Sequence, residues 1–395
     1  MTTQSIDLFS NEFHQNPYHY YQTIRPHHSF AKVNFVSGGQ SSWMAFTYET
    51  AEAVLKDDRF IKDMRTVFPN DITNENLPPI AQSMLFADPP NHRRLRSLVQ
   101  SGFTPKKIES FRERIKEIAE EQAELMSKKD TIEFIEDYAF PIPIRVICEL
   151  IGVPVEDQEK FQRWSHAIVD IGDAEQYEQI MSEFIQYLDQ LIQQKKEFPK
   201  NDLLSDLIKA EEQGDRLTTK ELHGIIMLMI VAGHETTVNL ISNGLLALLT
   251  HPSQLELLKK EPSLYKQAVE EILRYNGPVE FSTDRWANED FLFEGQQVKK
   301  GDHVIVSLAS AGHDPNVFAN ADEFQIKREQ SPHLAFGKGI HYCLGAPLAR
   351  LEGEVALQTL FEKFPDVRLA TDLKYLQWRE SFIIRGLKSF PVWLK

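Results

Sequence analysis

Cys343 is the residue of this sequence whose surroundings point most directly to chemistry. It follows Gly337 and Gly339, two residues that permit a tight and irregular backbone. Apolar residues then recur at helical spacing, and Pro347 stands in the first turn, where proline is tolerated. The dipole and free N–H groups at the start of a helix favour a thiolate, which is the form of cysteine that attacks electrophiles or binds metal. The sequence therefore predicts a reactive or metal-binding cysteine at a helix start.

Two other interpretations of Cys343 compete with this one. A free cysteine is most often a buried and inert side chain. A structural zinc site needs four ligands, and no second Cys/His pair stands near His341 and Cys343. The zinc interpretation therefore fails, and the two glycines, the helix start and the basic neighbours favour a functional cysteine over an inert one.

A second candidate site interrupts an apolar helix. The segment from Leu222 to Leu249 is predicted to be one long helix, and it carries Glu235 and Thr236. Acidic and hydroxyl groups are costly within an apolar helix unless they are satisfied, which indicates a role for this pair. The ordinary alternative for Thr236 is a hydrogen bond to the carbonyl one turn earlier.

The segment from Phe336 to Arg350 resembles the cysteine loop of the cytochrome P-450 family, the haem-thiolate monooxygenases. It fits the family pattern Phe-Gly-x-Gly-x-His-x-Cys-Leu-Gly-x-x-Leu-Ala-Arg at every fixed position. Ala232 to Thr236 is similar to the oxygen-activation motif of that family, and a Glu-x-x-Arg pattern follows in the family's order. The resemblance covers essentially the whole chain and is closest to the soluble bacterial members.

This resemblance implies a haem b cofactor with the Cys343 thiolate as the proximal iron ligand, which pushes electron density toward O–O cleavage. His92 and Arg96, four apart on one predicted helix face, resemble the residues that bind the haem propionates. The other cofactor-binding residues that it implies are Ala232, Arg285, Phe336 and His341.

Three further roles follow from the same resemblance. Glu235 and Thr236 are the expected catalytic residues, which organise protons for the activation of dioxygen. Glu271, Arg274 and Arg328 are expected to form a buried charge network that supports the cysteine loop. The expected substrate pocket is apolar and is lined by Leu85, Phe86, Met229, Val279 and Phe382.

Composition limits the class of partner and the compartment. Lys and Arg total 43 and Asp and Glu total 58, so the net charge of −15 argues against nucleic-acid binding. Two cysteines provide no disulfide framework and indicate a reducing compartment. The N-terminus does not resemble a signal peptide, and the apolar run from Gly224 to Gly233 is too short to span a bilayer. We expect a cytoplasmic monomer without membrane association.

The segment from Asn91 to Ile108 contains five basic residues and no acid. Its cations other than Arg96 are expected to dock an acidic ferredoxin or flavodoxin, and the alternative is an ordinary solvated face. These docking residues are Arg93, Arg94, Lys106 and Lys107.

Periodicity predicts a mainly α protein with small β-sheets in a single domain over residues 1–395. A hairpin is predicted over 31–47, with its turn at 37–40, and a helix is predicted from Thr104 to Met126. Further strands are predicted at 297–298, 304–306, 382–384 and 391–393. The resemblance adds that haem lies between the long central helix and the cysteine loop.

The function that the resemblance implies is a monooxygenase with separate electron-transfer proteins. It would insert one oxygen atom from dioxygen into a hydrophobic substrate of polyketide, macrolide, steroid or fatty-acid type. One alternative is a peroxygenase that uses hydrogen peroxide, against which the Glu235-Thr236 pair argues. The other is a non-catalytic haem sensor or carrier.

Overall fold

The computed structural model describes residues 8, 10–34, 41–70, 77–157, 160–161, 163–164, 174–212, 217–329 and 332–395. Helices dominate these residues, as predicted. The first group, in chain order, comprises α1 (Asn11–Gln15), α2 (Pro17–Ile24), α3 (Tyr48–Lys56), α4 (Met64–Val67), α5 (Asn91–Gln100), α6 (Pro105–Glu109), α7 (Arg112–Met126) and α8 (Pro141–Ile151). The second comprises α9 (Ala174–Glu197), α10 (Leu203–Glu212), α11 (Thr219–Thr250), α12 (Pro252–Lys260), α13 (Tyr265–Asn276), α14 (Leu308–Gly312) and α15 (Ala346–Lys363).

The strands are short and form small sheets. Their bounds are β1 (Phe30–Asn34), β2 (Ser41–Ala45), β3 (Phe60–Ile61), β4 (Thr131–Glu133), β5 (Arg285–Ala287), β6 (Phe291–Phe293), β7 (Gln296–Val298), β8 (His303–Val306), β9 (Arg368–Leu369) and β10 (Pro391–Trp393). One sheet has the order β1-β2-β8-β5-β3, with β2 and β8 parallel and the other pairs antiparallel. A second sheet has the order β4-β10-β9, and β6 pairs with β7.

Helix α11 is the centre of the core. It begins with a capping box, in which Thr218 and Glu221 satisfy each other's free backbone N–H groups. It packs against α8, α13 and α15, and Gly353 of α15 lies so close to Leu240 that a Cβ there would be 3.2 Å from that side chain. Buried residues lie on nearly all sides of this helix, which is typical of a central core helix.

The apolar character of α11 also corrects one expectation. Among the described residues this helix is long and apolar enough to cross a membrane, because it continues well beyond the short run at 224–233. However, 78% of its most apolar window is buried inside the protein. This burial is typical of a core helix rather than of a membrane span.

Several predicted elements are confirmed and two are not. The hairpin of β1 and β2 forms as expected, whereas its predicted turn at 37–40 lies outside the described residues. Thr104 caps the predicted helix by accepting a hydrogen bond from the Lys107 N–H, but the helix breaks between α6 and α7. The predicted strand at 382–384 is absent from the described structure, where an isolated bridge joins Val279 to Ile384.

Candidate functional site

The backbone before Cys343 is the tight loop that the sequence predicts. Gly337 and Gly339 have φ values of +70° and +72°, in the left-handed region that favours glycine. A Cβ on Gly339 would lie 2.7 Å from the carbonyl oxygen of Leu55, so only glycine fits there. The N–H of Cys343 donates to the carbonyl of Phe336 at 2.9 Å, which closes the loop just before α15.

The thiol of Cys343 differs from that of Cys148 in its accessibility. Cys148 is buried, whereas Cys343 is accessible. Burial by the surrounding protein nevertheless raises the pKa of the Cys343 thiol, against the backbone N–H groups of Gly345 and Ala346, which lower it. The thiol of Cys343 is thus accessible although protein atoms surround it closely enough to raise its pKa.

Helix α11 presents a matching accessible stripe. Ala232 is exposed and Thr236 is half-buried, although their neighbours His234 and Glu235 are buried. Ala232 and Thr236 are four apart and share one helix face. The hydroxyl of Thr236 donates to the carbonyl of Ala232 at 3.1 Å, so the ordinary alternative for this threonine is the geometry found here.

Glu235 is directed toward a residue that sequence reasoning missed. Its Oε1 accepts a hydrogen bond from Nη1 of Arg379 at 2.7 Å and another from Nδ2 of Asn239 at 3.1 Å. The side chains of Glu235 and Arg379 are only 4% and 15% exposed, which makes this a buried ion pair. The two residues are 144 positions apart, so no local pattern links them.

A cationic cluster forms where the sequence predicts propionate binding. It consists of Lys62, His92, Arg96, Arg285 and His341. The ring centroids of His92 and His341 are 4.3 Å apart. Both nitrogens of His92, Nε2 of His341 and Nε of Arg285 are buried without a hydrogen-bond partner among the described residues. Buried donors are normally satisfied, which indicates that a group is required here.

The electrostatics of the cationic cluster show which charge that group must carry. Burial, reinforced by the positive charge of Arg96, lowers the pKa of His92 to about 4. Burial and the nearby cations, Lys62 first among them, lower the pKa of His341 to about 2. Neighbouring cations lower the pKa of both histidines, and no carboxylate is among the causes of either shift. The donor set therefore fits an anionic group with several acceptor oxygens, as the two propionates of haem are.

Lys62 is the member of the cationic cluster that the sequence did not reveal. Its Nζ donates to the carbonyls of Thr283 at 2.9 Å and Asp284 at 2.8 Å, and to the hydroxyl of Thr283. Burial lowers the pKa of this lysine well below its ordinary value. Lys62 thereby fixes the two residues that precede Arg285 in the chain.

Arg96 joins the cationic cluster to the cysteine loop. Its Nη2 donates to the carbonyl of Tyr342 at 2.8 Å, directly before Cys343. Phe336, at the other end of the loop, is half-buried, and its ring centre lies 4.4 Å from the guanidinium carbon of Arg350.

The structure brings the predicted charge network together. Nη2 of Arg274 is 2.8 Å from Oε1 of Glu271, and Nε of Arg328 is 3.1 Å from Oε2 of Glu271. The side chains of Glu271 and Arg274 are 3% and 2% exposed. Arg274 also donates to the carbonyls of Gly312, Ala321 and Glu323, so its guanidinium links several chain segments.

The predicted pocket residues occupy two regions. Leu85 and Phe86 are half-buried in a short turn, and Met229 is buried on α11. Val279 and Phe382 are half-buried, and an isolated bridge from Val279 to Ile384 connects the two chain segments that carry them. The ring of Phe382 also stacks on Phe281 at 4.7 Å.

The basic segment is less uniform than predicted. Arg93 and Lys106 are exposed and Lys107 is half-buried. Arg94, in contrast, pairs with Glu221 at the start of α11, with Nη1 3.3 Å from Oε2. This ion pair occupies Arg94, which leaves the other three cations as the accessible part of the predicted docking surface.

Comparisons with known proteins show which proteins this chain resembles in sequence and in fold. A family model described as Cytochrome P450 matches residues 6–370. The chain is 42% identical over 391 residues to the polyketide biosynthesis cytochrome P450 PksS of Bacillus subtilis (strain 168), which covers 96% of each chain. It is 40% identical over 391 residues to the vitamin D(3) 25-hydroxylase of Pseudonocardia autotrophica, covering 99% of this chain and 96% of that one. A solved structure of PksS from B. subtilis 168 has a TM-score of 0.92 at 40% identity and covers 99% of this chain and 100% of that one.

Proposed function

The chain belongs to the cytochrome P450 family and is therefore a haem-thiolate monooxygenase, and we propose that it oxidises a hydrophobic small molecule of polyketide, macrolide, steroid or fatty-acid type. The names of the two relatives, one in polyketide biosynthesis and one a vitamin D(3) hydroxylase, support this range of substrates. Half-buried apolar side chains near α11, and others in the two segments joined by the bridge from Val279 to Ile384, supply a suitable surface. We propose Leu85, Phe86, Met229, Val279 and Phe382 as the residues that contact the substrate and exclude water from it.

Cys343 is the proposed iron ligand. Of the two cysteines in the sequence it is the accessible one, and its loop carries the glycines and the helix start that a thiolate ligand requires. When bound, haem supplies the iron at which dioxygen is reduced and from which one oxygen atom enters a C–H bond. Cys343 holds that iron and donates electron density to it.

The cationic cluster holds the other charged part of the cofactor. His92, Arg96, Arg285 and His341 are the proposed propionate ligands, since their unpartnered donors and positive charge fit two carboxylates. This cluster of orphaned buried donors is the observation that carries the placement of the cofactor. Ala232 and Phe336 are the proposed apolar contacts to its ring.

Glu235 and Thr236 are the proposed proton-handling residues. Hydroxylation of a C–H bond consumes one dioxygen, two electrons and two protons and yields an alcohol and one water. The Thr236 hydroxyl lies on the accessible stripe of α11 and can hold a proton at Oγ1. Glu235 is the buried acid next to it and is suited to supply that proton.

The electrons are proposed to come from an acidic ferredoxin or flavodoxin with its reductase. Arg93, Lys106 and Lys107 provide the accessible positive charge on a chain whose net charge is −15. We further propose one domain over residues 1–395, acting as a cytoplasmic monomer without nucleic-acid or membrane partners.

Two measurements test the proposal. Reduced protein treated with carbon monoxide should show the strongly red-shifted Soret band of thiolate-ligated haem. Cys343→His should abolish this band and Cys148→Ser should leave it unchanged. Survival of the band in Cys343→His would place the ligand elsewhere.

The substrate class is then tested by optical titration with polyketide, macrolide, steroid and fatty-acid compounds. Those that shift the haem spectrum are incubated with reduced ferredoxin in one arm and with hydrogen peroxide in the other. Product that depends on dioxygen and ferredoxin supports the monooxygenase. Product with peroxide alone would favour the peroxygenase alternative.

A further inference from the structure

We propose that Phe13 of α1 is a positioning residue for Phe382, and that the first helix thereby limits the width of the substrate that the pocket accepts. This inference rests on the proposed function, because that function makes Phe382 a wall of the substrate pocket. Phe13 acts on substrate choice through a stack of aromatic rings and does not itself contact the substrate.

A column of three aromatic rings connects α1 to Phe382. The rings of Phe13 and Phe281 are stacked, with centroids 6.2 Å apart and planes 9° apart. The rings of Phe281 and Phe382 are also stacked, at 4.7 Å and 22°. Phe13 is 1% exposed and Phe281 is 0% exposed, whereas Phe382, at the end of the column, is half-buried. Because protein interiors are close-packed, the position of the Phe382 ring depends on the two rings behind it.

The apolar cluster around Phe13 supports Phe382 separately from the main core. Phe13 and Phe281 belong to a small cluster that also contains Tyr21, and Phe382 packs against it. Met229, another proposed pocket residue, belongs to the large cluster around α11. These two walls of the proposed pocket are therefore supported by different clusters, so a change at Phe13 is expected to reach the Phe382 wall and leave α11 in place.

Hydrogen bonds from α1 hold the chain on both sides of Phe382. The side-chain amide of Gln15 donates to the carbonyl of Trp378 at 3.3 Å and accepts from the N–H of Trp378 at 3.1 Å. Beyond Phe382 in the chain, Nη1 of Arg385 donates to the carbonyl of His14 at 3.1 Å. Helix α1 thus contacts the segment that carries Phe382 both before and after this side chain.

The opposite side of this segment is fixed by backbone hydrogen bonds. The N–H of Glu280 donates to the carbonyl of Ile383 at 2.8 Å, and the N–H of Arg385 donates to the carbonyl of Pro278 at 2.9 Å. Since these bonds hold the backbone next to Phe382, shortening the side chain of Phe13 should move rings rather than backbone.

The direction of that movement sets the expected effect on the substrate. A shorter side chain in place of Phe13 leaves a void, which the ring of Phe281 is able to enter. The ring of Phe382 then follows Phe281 toward α1 and away from the pocket. With the column intact, Phe13 therefore limits the width of the ligand, and its loss should improve the binding of broad ligands relative to narrow ones.

The binding test uses haem-loaded protein and two ligands that differ by one phenyl ring, 1-benzylimidazole and 1-(diphenylmethyl)imidazole. Both coordinate haem iron through the imidazole nitrogen, so optical titration measures their dissociation constants before any substrate is known. The affinity for the broader ligand relative to the narrower one is the quantity compared. In Phe13→Leu this ratio should rise about fivefold, because changes that act through packed neighbours typically alter binding by about 2- to 30-fold.

The matched control is Phe134→Leu, which makes the same substitution at a residue that is 0% exposed. The ring of Phe134 contacts Tyr138 and Phe390, so its loss should leave the affinity ratio at the wild-type value. Phe281→Leu shortens the middle ring of the column and should raise the ratio as Phe13→Leu does. This variant keeps the test decisive if Phe13→Leu binds haem poorly.

A double variant shows whether Phe13 acts through Phe382. Phe382→Ala removes the last ring of the column and should change the affinity ratio by itself. Adding Phe13→Leu to Phe382→Ala should then produce no further change, because the ring that transmits the effect is gone. A further change as large as that in the wild-type background would mean that Phe13 acts by another route, and would overturn the positioning role.

The position of the Phe382 ring is also measured without any imidazole ligand. Fluorophenylalanine is incorporated in place of Phe382, and its fluorine NMR signal is recorded in the diamagnetic carbon monoxide complex of the reduced protein. Phe13→Leu should shift and narrow this signal, because the ring takes a new position and gains mobility. Phe134→Leu should leave the signal unchanged.

The outcomes separate this inference from the proposed function. If Phe382→Ala changes neither ligand affinity, Phe382 does not line the pocket and that part of the proposed function fails, while the fluorine signal still decides whether Phe13 positions the ring. An unchanged fluorine signal in Phe13→Leu overturns the positioning role. A wild-type affinity ratio in both Phe13→Leu and Phe281→Leu, with a changed ratio in Phe382→Ala, overturns the effect on substrate width.

Discussion

The guanidinium of Arg350 donates two hydrogen bonds to the carboxylate of Glu270, from Nε to Oε1 at 2.6 Å and from Nη2 to Oε2 at 2.9 Å. His333 lies 3.1 Å from the same carboxylate. Arg350 also donates to the hydroxyl of Tyr342, next to Cys343, at 3.2 Å. Helix α13 is therefore connected to the cysteine loop through one carboxylate.

This connection predicts a pH dependence of stability. Burial alone would raise the pKa of Glu270, but the hydrogen bonds from His333 and Arg350 lower it to about 2. An unfolded glutamate has a pKa of about 4.3, so the ionised pair contributes stability above that pH and loses it as the pH falls toward 2. The difference in unfolding free energy between wild type and Glu270→Gln should be constant at neutral pH and shrink below about pH 4.3. Urea unfolding at several pH values measures it, and a difference that grows on acidification would contradict the assignment.

Arg274→Leu should be strongly destabilising. It leaves the buried Glu271 carboxylate without its closest cation, a loss that costs about 3–5 kcal/mol in comparable buried pairs. We expect little haem-loaded protein from this variant, measured as haem absorbance per protein and by urea unfolding. Arg163→Leu, which breaks the exposed pair with Glu183, should cost no more than about 1 kcal/mol. A stable and fully loaded Arg274→Leu that is impaired only in catalysis would reassign the network to chemistry.

Thr236→Ala should uncouple reductant consumption from product formation. The substitution removes the hydroxyl that holds a proton on the accessible stripe of α11, while it deletes little volume. Reductant oxidation should continue, hydrogen peroxide should accumulate, and product per reductant should fall. The experiment measures all three, together with substrate affinity, which should change little.

The control for this prediction is Thr250→Ala. Thr250 donates to the carbonyl of Leu246 at 2.8 Å, which is the same type of back bond on the same helix. Thr237 serves less well as a control, because its hydroxyl lies near the buried carboxyl of Glu352, whose pKa burial raises. Equal product per reductant in Thr236→Ala and Thr250→Ala would mean that the Thr236 hydroxyl only hydrogen-bonds to the backbone and has no role in proton handling.

Electron delivery should depend on the accessible cations of the basic segment. Replacing Arg93, Lys106 and Lys107 with glutamine should slow reduction by an acidic ferredoxin. In the wild type, rising ionic strength should also slow reduction, because salt screens charges over a length of about 8 Å at 0.15 M. Arg94→Gln is the contrasting variant, since Arg94 pairs with Glu221. It should affect reduction less than the triple variant, as stopped-flow kinetics can measure. Identical reduction rates at low salt in the wild type and all variants would mean that the basic segment is an ordinary solvated face and not a docking surface.

The sequence by itself determined the elements whose cause is local. The glycines before Cys343 require left-handed backbone, and the two φ values near +70° have that sign. Thr104 and Pro105 predict a helix start, and Thr104 caps one. Residues three apart on a helix share a face whatever surrounds them, so their spacing placed Glu271 and Arg274 on one face of α13.

Tertiary structure alone decided which distant side chains meet. Glu235 and Arg379 are 144 positions apart, and Lys62 and Thr283 are 221 apart. The local sequence around a buried lysine or arginine does not distinguish it from an exposed one. Its partner is fixed by how α11, the C-terminal segment and the sheet pack. For the same reason the predicted docking cation Arg94 is paired with Glu221 by the approach of α5 to α11. Local pattern sets the conformation of the backbone, whereas packing over long sequence separations sets the partners of its charges.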